Sequence, residues 1–256
     1  MSAPGILLSA DNLEVRFGGL RAVSDVSFSV SAGEMVGLVG PNGAGKTTTF
    51  NVISGMLQPS AGRITFCGRD LTGLAPEQVA HAGITRTFQN VRLFAEMSLF
   101  ENVMMGSYAT EPCGVLASMI RLGRHRKAEQ QAREVAHYWI DRLGLSNYAD
   151  SPAVTLPLGL QRIAEVARAL AGKPQLVLLD EPAAGLNSAE KARLSDLLRD
   201  IVRESGCALL LVEHDMPLVM GLVDRVIVLD FGRKLAEGRP AEIASNPDVI
   251  RVYLGA

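Results

Sequence analysis

Short, almost wholly apolar runs alternate along this chain with stretches in which apolar residues recur every three or four positions. Glu34–Gly40, Gln175–Asp180 and Cys207–Val212 are of the first kind. A run with no polar face predicts a strand buried on both sides. Ser188–Ser205 is of the second kind, with Leu194, Leu197, Leu198 and Ile201 on one helical face and Ser188 and Lys191 read as capping and surface residues. Gly159–Ala171 likewise aligns Leu160, Ile163, Ala167 and Leu170 before Gly172-Lys173-Pro174 stops it. Strands alternating with helices predict a mainly parallel sheet with helices on its faces.

The remaining pattern adds two features to that core. Ile6–Ser9, Leu13–Phe17 and Val26–Val30 are short, partly alternating runs punctuated by Gly18-Gly19 and Ser31–Gly33, which predicts a β-rich edge. Arg63–Cys67 is one more strand. Helices are predicted over Thr47–Gly55, with apolar spacing carried on to Leu57, and over Pro76–Ala82 and Met216–Leu222. A hairpin joins Arg225–Asp230 to Arg233–Ala236 across Phe231-Gly232, and Pro240–Leu254 is helical in two pieces. Thr85–Asn90 leads out of the first half. Residues 91–154 carry no strand pattern. There an apolar run, Val115–Ile120, meets a basic stretch (Arg121, Arg124, Arg126, Lys127), and Ala128–Leu143 follows as a long helix with Val135, Tyr138, Trp139 and Leu143 on one side. The expected organisation is one α/β domain, with residues 1–90 and 155–256 forming the core and 91–154 an inserted helical subdomain. The basic stretch reads either as a solvated helix face or as a surface close to anionic headgroups or a membrane partner.

Charge and composition narrow the function. Over 256 residues the net charge is −2, which argues against a nucleic-acid binder with a broad basic face. Cys67, Cys113 and Cys207 have neither metal nor disulfide spacing, and the four histidines form no ligand pair. No apolar stretch reaches the ~18 residues of a membrane span and no leader pattern opens the chain. The expectation is a cytoplasmic protein whose link to a membrane, if any, runs through a partner.

The strongest chemical signal is Gly40-Pro41-Asn42-Gly43-Ala44-Gly45-Lys46-Thr47-Thr48, which fits the phosphate-binding pattern G-x-x-x-x-G-K-[ST]. Glycines let the backbone close on an anion, main-chain N–H groups line the concavity, Lys46 reaches the β- and γ-phosphates, and the Thr47 hydroxyl suits Mg²⁺. The predicted helix behind the loop adds its positive end. Asp180 and Glu181 close a buried strand, at the sheet edge where α/β proteins bind ligands. Asp180 can hold Mg²⁺ through water, and Glu181 can polarise a water for attack on the γ-phosphate. His214, after the buried run ending at Val212, can contact the same phosphate if its strand lies beside the phosphate-loop strand. Gln89 can reach Mg²⁺ or the attacking water. Phe17 reads either as a strand-end core residue or as a purine-stacking aromatic. The Asn-Lys-x-Asp guanine-reading motif is absent, which disfavours a GTP switch.

In this order the pieces resemble the nucleotide-binding subunit of ABC transporters over essentially the whole chain. Gly40–Thr48 matches the Walker A loop, Leu176–Glu181 Walker B with its catalytic glutamate, Gln89 the Q-loop, Ala183–Asn187 the D-loop, His214 the switch histidine and Phe17 the adenine-stacking aromatic. Arg16–Leu20, Gly83–Phe94, Val212–Met216 and Asn246–Gly255 resemble the branched-chain amino acid uptake branch, in particular its larger ATPase. The resemblance implies a P-loop NTPase fold, Mg-ATP as substrate, and work as one of two ATPases on two membrane permease subunits, fed by a periplasmic binding protein. Branched-chain amino acids or a related solute would be the cargo, and a soluble ABC-type ATPase outside transport is the alternative. One departure stands out. Where the family signature reads Leu-Ser-Gly-Gly-Gln, this chain has Leu156-Pro157-Leu158-Gly159-Leu160 followed by Gln161. The resemblance implies that Leu158, Gly159, Leu160 and Gln161 act in trans on ATP held by the facing subunit, so the missing serine burdens the partner's site and suggests pairing with a different ATPase.

Overall fold

The structure, a computed structural model, describes residues 5–108 and 122–254. Val115–Ile120 and Arg121 lie outside the described residues. In chain order the elements are β1 (Ile6–Phe17), β2 (Leu20–Ser31), β3 (Met35–Val39), α1 (Lys46–Ile53), β4 (Ala61–Phe66), β5 (Arg69–Asp70), α2 (Pro76–Ala82), β6 (Ile84–Arg86), α3 (Leu99–Tyr108) and α4 (Leu122–Arg142). They continue with α5 (Leu158–Ala171), β7 (Leu176–Asp180), α6 (Ser188–Ser205), β8 (Ala208–Val212), α7 (Met216–Leu222), β9 (Arg225–Asp230), β10 (Arg233–Gly238), α8 (Pro240–Ala244) and α9 (Pro247–Leu254).

The central sheet runs β10-β9-β3-β8-β7-β6, parallel from β9 to β6, with only β10 reversed. Because successive side chains in a strand point to opposite faces, the apolar runs divide between two cores. Val36, Leu38, Leu176, Leu178, Leu210 and Val212 pack with the second sheet and with Phe50 and Ile53 of α1. Val39, Val177, Leu179, Leu209 and Leu211 pack with α3, α4, α5 and α6. The second sheet is antiparallel, in the order β2-β1-β4-β5.

Several expectations change. The two runs expected at Ile6–Ser9 and Leu13–Phe17 form one strand, bent where the register shifts between Ala10 and Leu13 and Asn12 takes φ 49. A bulge of this kind reads as a strand break in sequence. Thr85–Asn90, expected as a connection, contributes the edge strand β6, which pairs with β7. The face expected for Ala128–Leu143 is rotated. Trp139 and Leu143 are buried with Ala132, Ala136 and Ile140, while Tyr138 is 53% exposed. Helix α5 is buried on nearly every side, including Arg162 and Glu165, rather than along one stripe. The cap of α6 is Asn187, not Ser188. Its side chain accepts from the Glu190 amide at 3.0 Å while Glu190 accepts from the Asn187 amide at 2.8 Å. Lys191 is not simply a surface residue, since it pairs with Asp215 at 2.6 Å.

Candidate nucleotide site

The parallel register sets the site. Leu38 lies opposite Val212 and Val212 opposite Asp180. The ends of β3, β8, β7 and β6 therefore deliver Gly40, His214, Glu181 and the segment leading to Gln89 to one edge of the sheet.

The loop Gly40–Thr48 closes tightly between β3 and α1. Gly40 has φ 149, and a Cβ there would lie 2.1 Å from the Leu229 carbonyl oxygen. Gly45 has φ 96, and its Cβ would meet the Ala22 carbonyl at 2.7 Å. Neither position admits a side chain. Ala44 is buried beneath the loop; Asn42 and Gly43 are exposed and Pro41 half-buried, while Thr47 is exposed and Thr48 half-buried in the first turn of α1. Lys46 folds back so that Nζ donates to the Gly40 and Pro41 carbonyls at 2.7 and 2.9 Å. Burial lowers its pKa, and the nearby Glu181 and Asp180 carboxylates oppose that shift.

Glu181 has φ 48, uncommon for a residue with a side chain, and its amide donates to the Val212 carbonyl at 2.9 Å. Its Oε2 accepts from Gln89 Nε2 at 2.9 Å and lies 3.9 Å from His214 Nδ1. Two side chains from neighbouring strand ends, Gln89 and His214, thus converge on one oxygen of Glu181, and His214 keeps 67% of its side chain open to solvent.

Asp180 is held differently. Its Oδ2 accepts from Arg86 Nη2 at 2.8 Å, with both side chains under a tenth exposed. Arg86 also donates to Asn51 Oδ1 (2.7 Å) and Ser54 Oγ (2.9 Å), and its guanidinium lies over the Phe50 and Phe88 rings. Sequence reasoning missed Arg86. The available signal was the acid itself, because a carboxylate buried at a strand end requires a cation. Helix α5 also grips the path from Phe88 to Arg92. Arg162 donates to the Phe88 and Gln89 carbonyls, Arg168 donates to the Arg92 carbonyl, and Glu165 accepts from the Arg92 amide. Burial pushes the Glu165 pKa up.

Phe17 is 51% exposed, so it is not a core residue. It ends the β1–β2 hairpin whose Ala22 abuts Gly45. The run Leu156–Gln161 lies elsewhere, at the start of α5. Pro157 occupies the cap position and offers no side-chain hydrogen bond. Leu158 is exposed, Leu160 half-buried, and Gly159 packs beside Leu186 and Glu190. Gln161 is turned back, donating to the Leu156 and Val154 carbonyls at 2.7 and 3.0 Å.

A strand, a glycine-bound loop with its lysine, and a strand-end Asp-Glu pair are the parts of a P-loop ATPase. The sequence profile described as "ABC transporter" matches residues 23–184, spanning all of them. The chain belongs to the ABC transporter ATP-binding family. A second profile, "Branched-chain amino acid ATP-binding cassette transporter", matches residues 233–256. The chain is 44% identical over 255 residues to the high-affinity branched-chain amino acid transport ATP-binding protein LivG of Salmonella typhimurium, covering all of this chain and 99% of that one. Identity is 43% to LivG of Escherichia coli and 42% to BraF of Pseudomonas aeruginosa, with the same coverage. A nucleotide-free ATP-binding cassette from an ABC transporter superposes with TM-score 0.85 at 31% identity over 98% of this chain and all of that one. A cassette in its ADP conformation gives TM-score 0.85 at 30% identity, again over 98% and 100%. The α/β P-loop fold expected from the sequence is the one these cassettes share. This ABC cassette is an ATPase subunit of a transporter, and no helix among its described residues is long and apolar enough to cross a membrane.

Proposed function

We propose that this subunit hydrolyses Mg-ATP at Gly40–Thr48 to drive import of branched-chain amino acids, or a closely related small solute, through membrane permease subunits. The observation that carries the chemical half is the convergence of Gln89 and His214 on the Glu181 carboxylate beside the lysine-bearing loop. In this reading Glu181 accepts a hydrogen bond from a water and aims it in line at the γ-phosphorus. The phosphorus–oxygen bond to ADP breaks as the new one forms, giving ADP and phosphate. Lys46 and the loop amides, now holding phosphate oxygens in place of the Gly40 and Pro41 carbonyls, neutralise the charge on the leaving group. His214 and Gln89 contact the terminal phosphate and report its presence, and Phe17, exposed at the end of β1, stacks on adenine.

The residues fit Mg²⁺. Thr47 and Gln89 are exposed oxygen donors, and Asp180, whose Oδ2 is held by Arg86, would act through its other oxygen and a water; these are too few for a closed protein cage, which is how this ion is usually held with nucleotide phosphates. When bound it supplies charge neutralisation across the β- and γ-phosphates. The cargo rests on the relatives' names and on the profile match to the tail.

The partners follow from the same reading: a second ATPase, two permease subunits, and a periplasmic solute-binding protein acting through them. The subunit would sit on the cytoplasmic face of the membrane, with residues 91–154 as the lobe that moves. An apolar groove of about 680 Å³ lies between that region and the core, lined by Met56, Val79, Phe88, Phe94 and Met105 among others. It is the surface we assign to the permease, because Arg86, Phe88 and Arg92 on its wall lead straight to Asp180 and Gln89. Pro157 points to a heterodimer. The partner's intact signature would complete the site on this chain, and this chain's signature would serve the partner's site poorly. The turned-back Gln161 leaves no substitute for the missing serine hydroxyl.

The test has two arms. A tagged chain purified from gently solubilised membranes should bring a second ATPase and permease subunits with it. In that complex Glu181→Gln should keep ATP binding while turnover falls by about 10³-fold or more. Recovery of the chain alone overturns the assembly, and rapid steady-state hydrolysis by the variant overturns the role of Glu181.

A further inference from the structure

Glu213 stands between the end of β8 and His214, and none of the roles above uses it. Its side chain is 1% exposed. A carboxylate so buried is costly unless its oxygens are satisfied, and here main-chain amides do this. Oε1 accepts from the Ala183 amide at 2.8 Å, and Oε2 accepts from the His214 amide at 3.2 Å. The His214 imidazole lies close by, with Nδ1 4.0 Å from Oε2. The two amides belong to two different loops. Ala183 lies two residues after Glu181 and opens the segment Ala183–Asn187, while His214 opens the turn into α7.

The backbone around this carboxylate explains why such a tie is needed. Glu181 sits at φ 48, a strained conformation that persists only where the surroundings over-determine it. Its own amide is pinned to the Val212 carbonyl on one side. On the other side the chain turns, with Ala184 N donating to Glu181 O at 3.1 Å, and within that turn the Ala183 amide is held by the Glu213 carboxylate. Two residues after Glu213, beyond the end of β8, Asp215 caps α7 through the Leu218 amide and pairs with Lys191 of α6, so the anchor itself stands on rigid elements.

We propose that Glu213 is a positioning residue for hydrolysis: its buried carboxylate ties the loop behind Glu181 to the loop bearing His214, so that the water-aiming acid and the phosphate-contacting imidazole move as one body. A shift of His214 on meeting the terminal phosphate is thereby passed to Glu181 and to Ala183–Asn187. This rests on the roles given above to Glu181 and His214. Buried at 1% exposure, Glu213 acts through the two loops it holds and not by contact with nucleotide.

The test uses the assembled complex carrying Glu213→Gln, which keeps one acceptor and the volume, and Glu213→Ala, which removes both. Dissociation constants for a fluorescent ATP analogue, kcat, KM and melting temperature are measured beside Glu181→Gln, with amide hydrogen exchange at Ala183 and His214 followed in the isolated chain. The proposal expects kcat to fall by about tenfold in Glu213→Gln and more in Glu213→Ala, while nucleotide affinity stays within about threefold. Exchange should rise at both amides together. Equal losses in kcat and affinity, unchanged kcat, or loosening of one amide without the other would overturn it. If Glu213→Ala does not fold, Glu213→Gln alone decides. An active Glu181→Gln would defeat the underlying reading, whereas an inactive Glu181→Gln beside a normal Glu213→Gln defeats only the role of Glu213.

Discussion

Replacing Arg86 with methionine should destabilise this protein more than removing most cationic side chains would, and the structure sets the size. Arg86 and Asp180 are 8% and 7% exposed and 2.8 Å apart. Removing one partner of such a pair strands a charge in the interior, which costs about 3–5 kcal/mol. The same change also frees Asn51 Oδ1 and Ser54 Oγ and removes the cation from the Phe50 and Phe88 rings. For a chain of this length about 4 kcal/mol corresponds to a fall in melting temperature of roughly 10 °C. The informative control is the double variant Arg86→Met with Asp180→Leu. With both charges gone no ion is left unpaired, so most of the lost stability should return, although activity would not. Urea unfolding of the wild type, the two single variants and the double variant measures this directly. A loss under about 1 kcal/mol for Arg86→Met, or a double variant no more stable than the single, would refute the claim that this pair fastens β7 to α1 and to the path toward Gln89.

Two further outcomes follow from the site. Lys46→Ala should weaken ATP binding by roughly 10- to 100-fold, the worth of one charge-assisted hydrogen bond, in equilibrium titration with a labelled nucleotide; unchanged affinity would place the phosphates elsewhere. In the assembled complex Pro157→Ser should raise ATPase activity by about tenfold, since it returns one hydroxyl to the partner's site. An unchanged rate would mean that α5 serves that site without it.

The phosphate loop, the Asp180–Glu181 pair and His214 were legible because each follows a buried apolar run, and buried parallel strands end at a common edge. Helices α2, α6 and α7 begin and end where the sequence places them, since Pro76, Asn187 with Glu190 three residues on, and Pro217 are strong local start signals. What escaped has a different cause. Strand β6 is three residues at a sheet edge with a polar centre, so it carries no apolar run. Arg86 and Asp180 are 94 residues apart in the chain, with the helices α3, α4 and α5 between them, and only the fold brings them together. Tyr138 fits the helical period of Trp139 and Leu143 about as well as Ile140 does, and the direction of α5 decides which side is covered. In sequence Phe17 stays open between a strand-end core residue and a stacking aromatic because the local sequence is the same for both, and only the fold leaves it 51% exposed.

The measurement that bears most directly on the central claim is a structure of the assembled complex carrying Glu181→Gln with Mg-ATP bound. The account predicts the terminal phosphate over Gly40–Thr48, within hydrogen-bonding reach of Lys46, Gln89 and His214, with residue 181 facing the in-line water and the second ATPase closing the site. A terminal phosphate held away from residue 181, or a site closed by nothing from a second subunit, would contradict it.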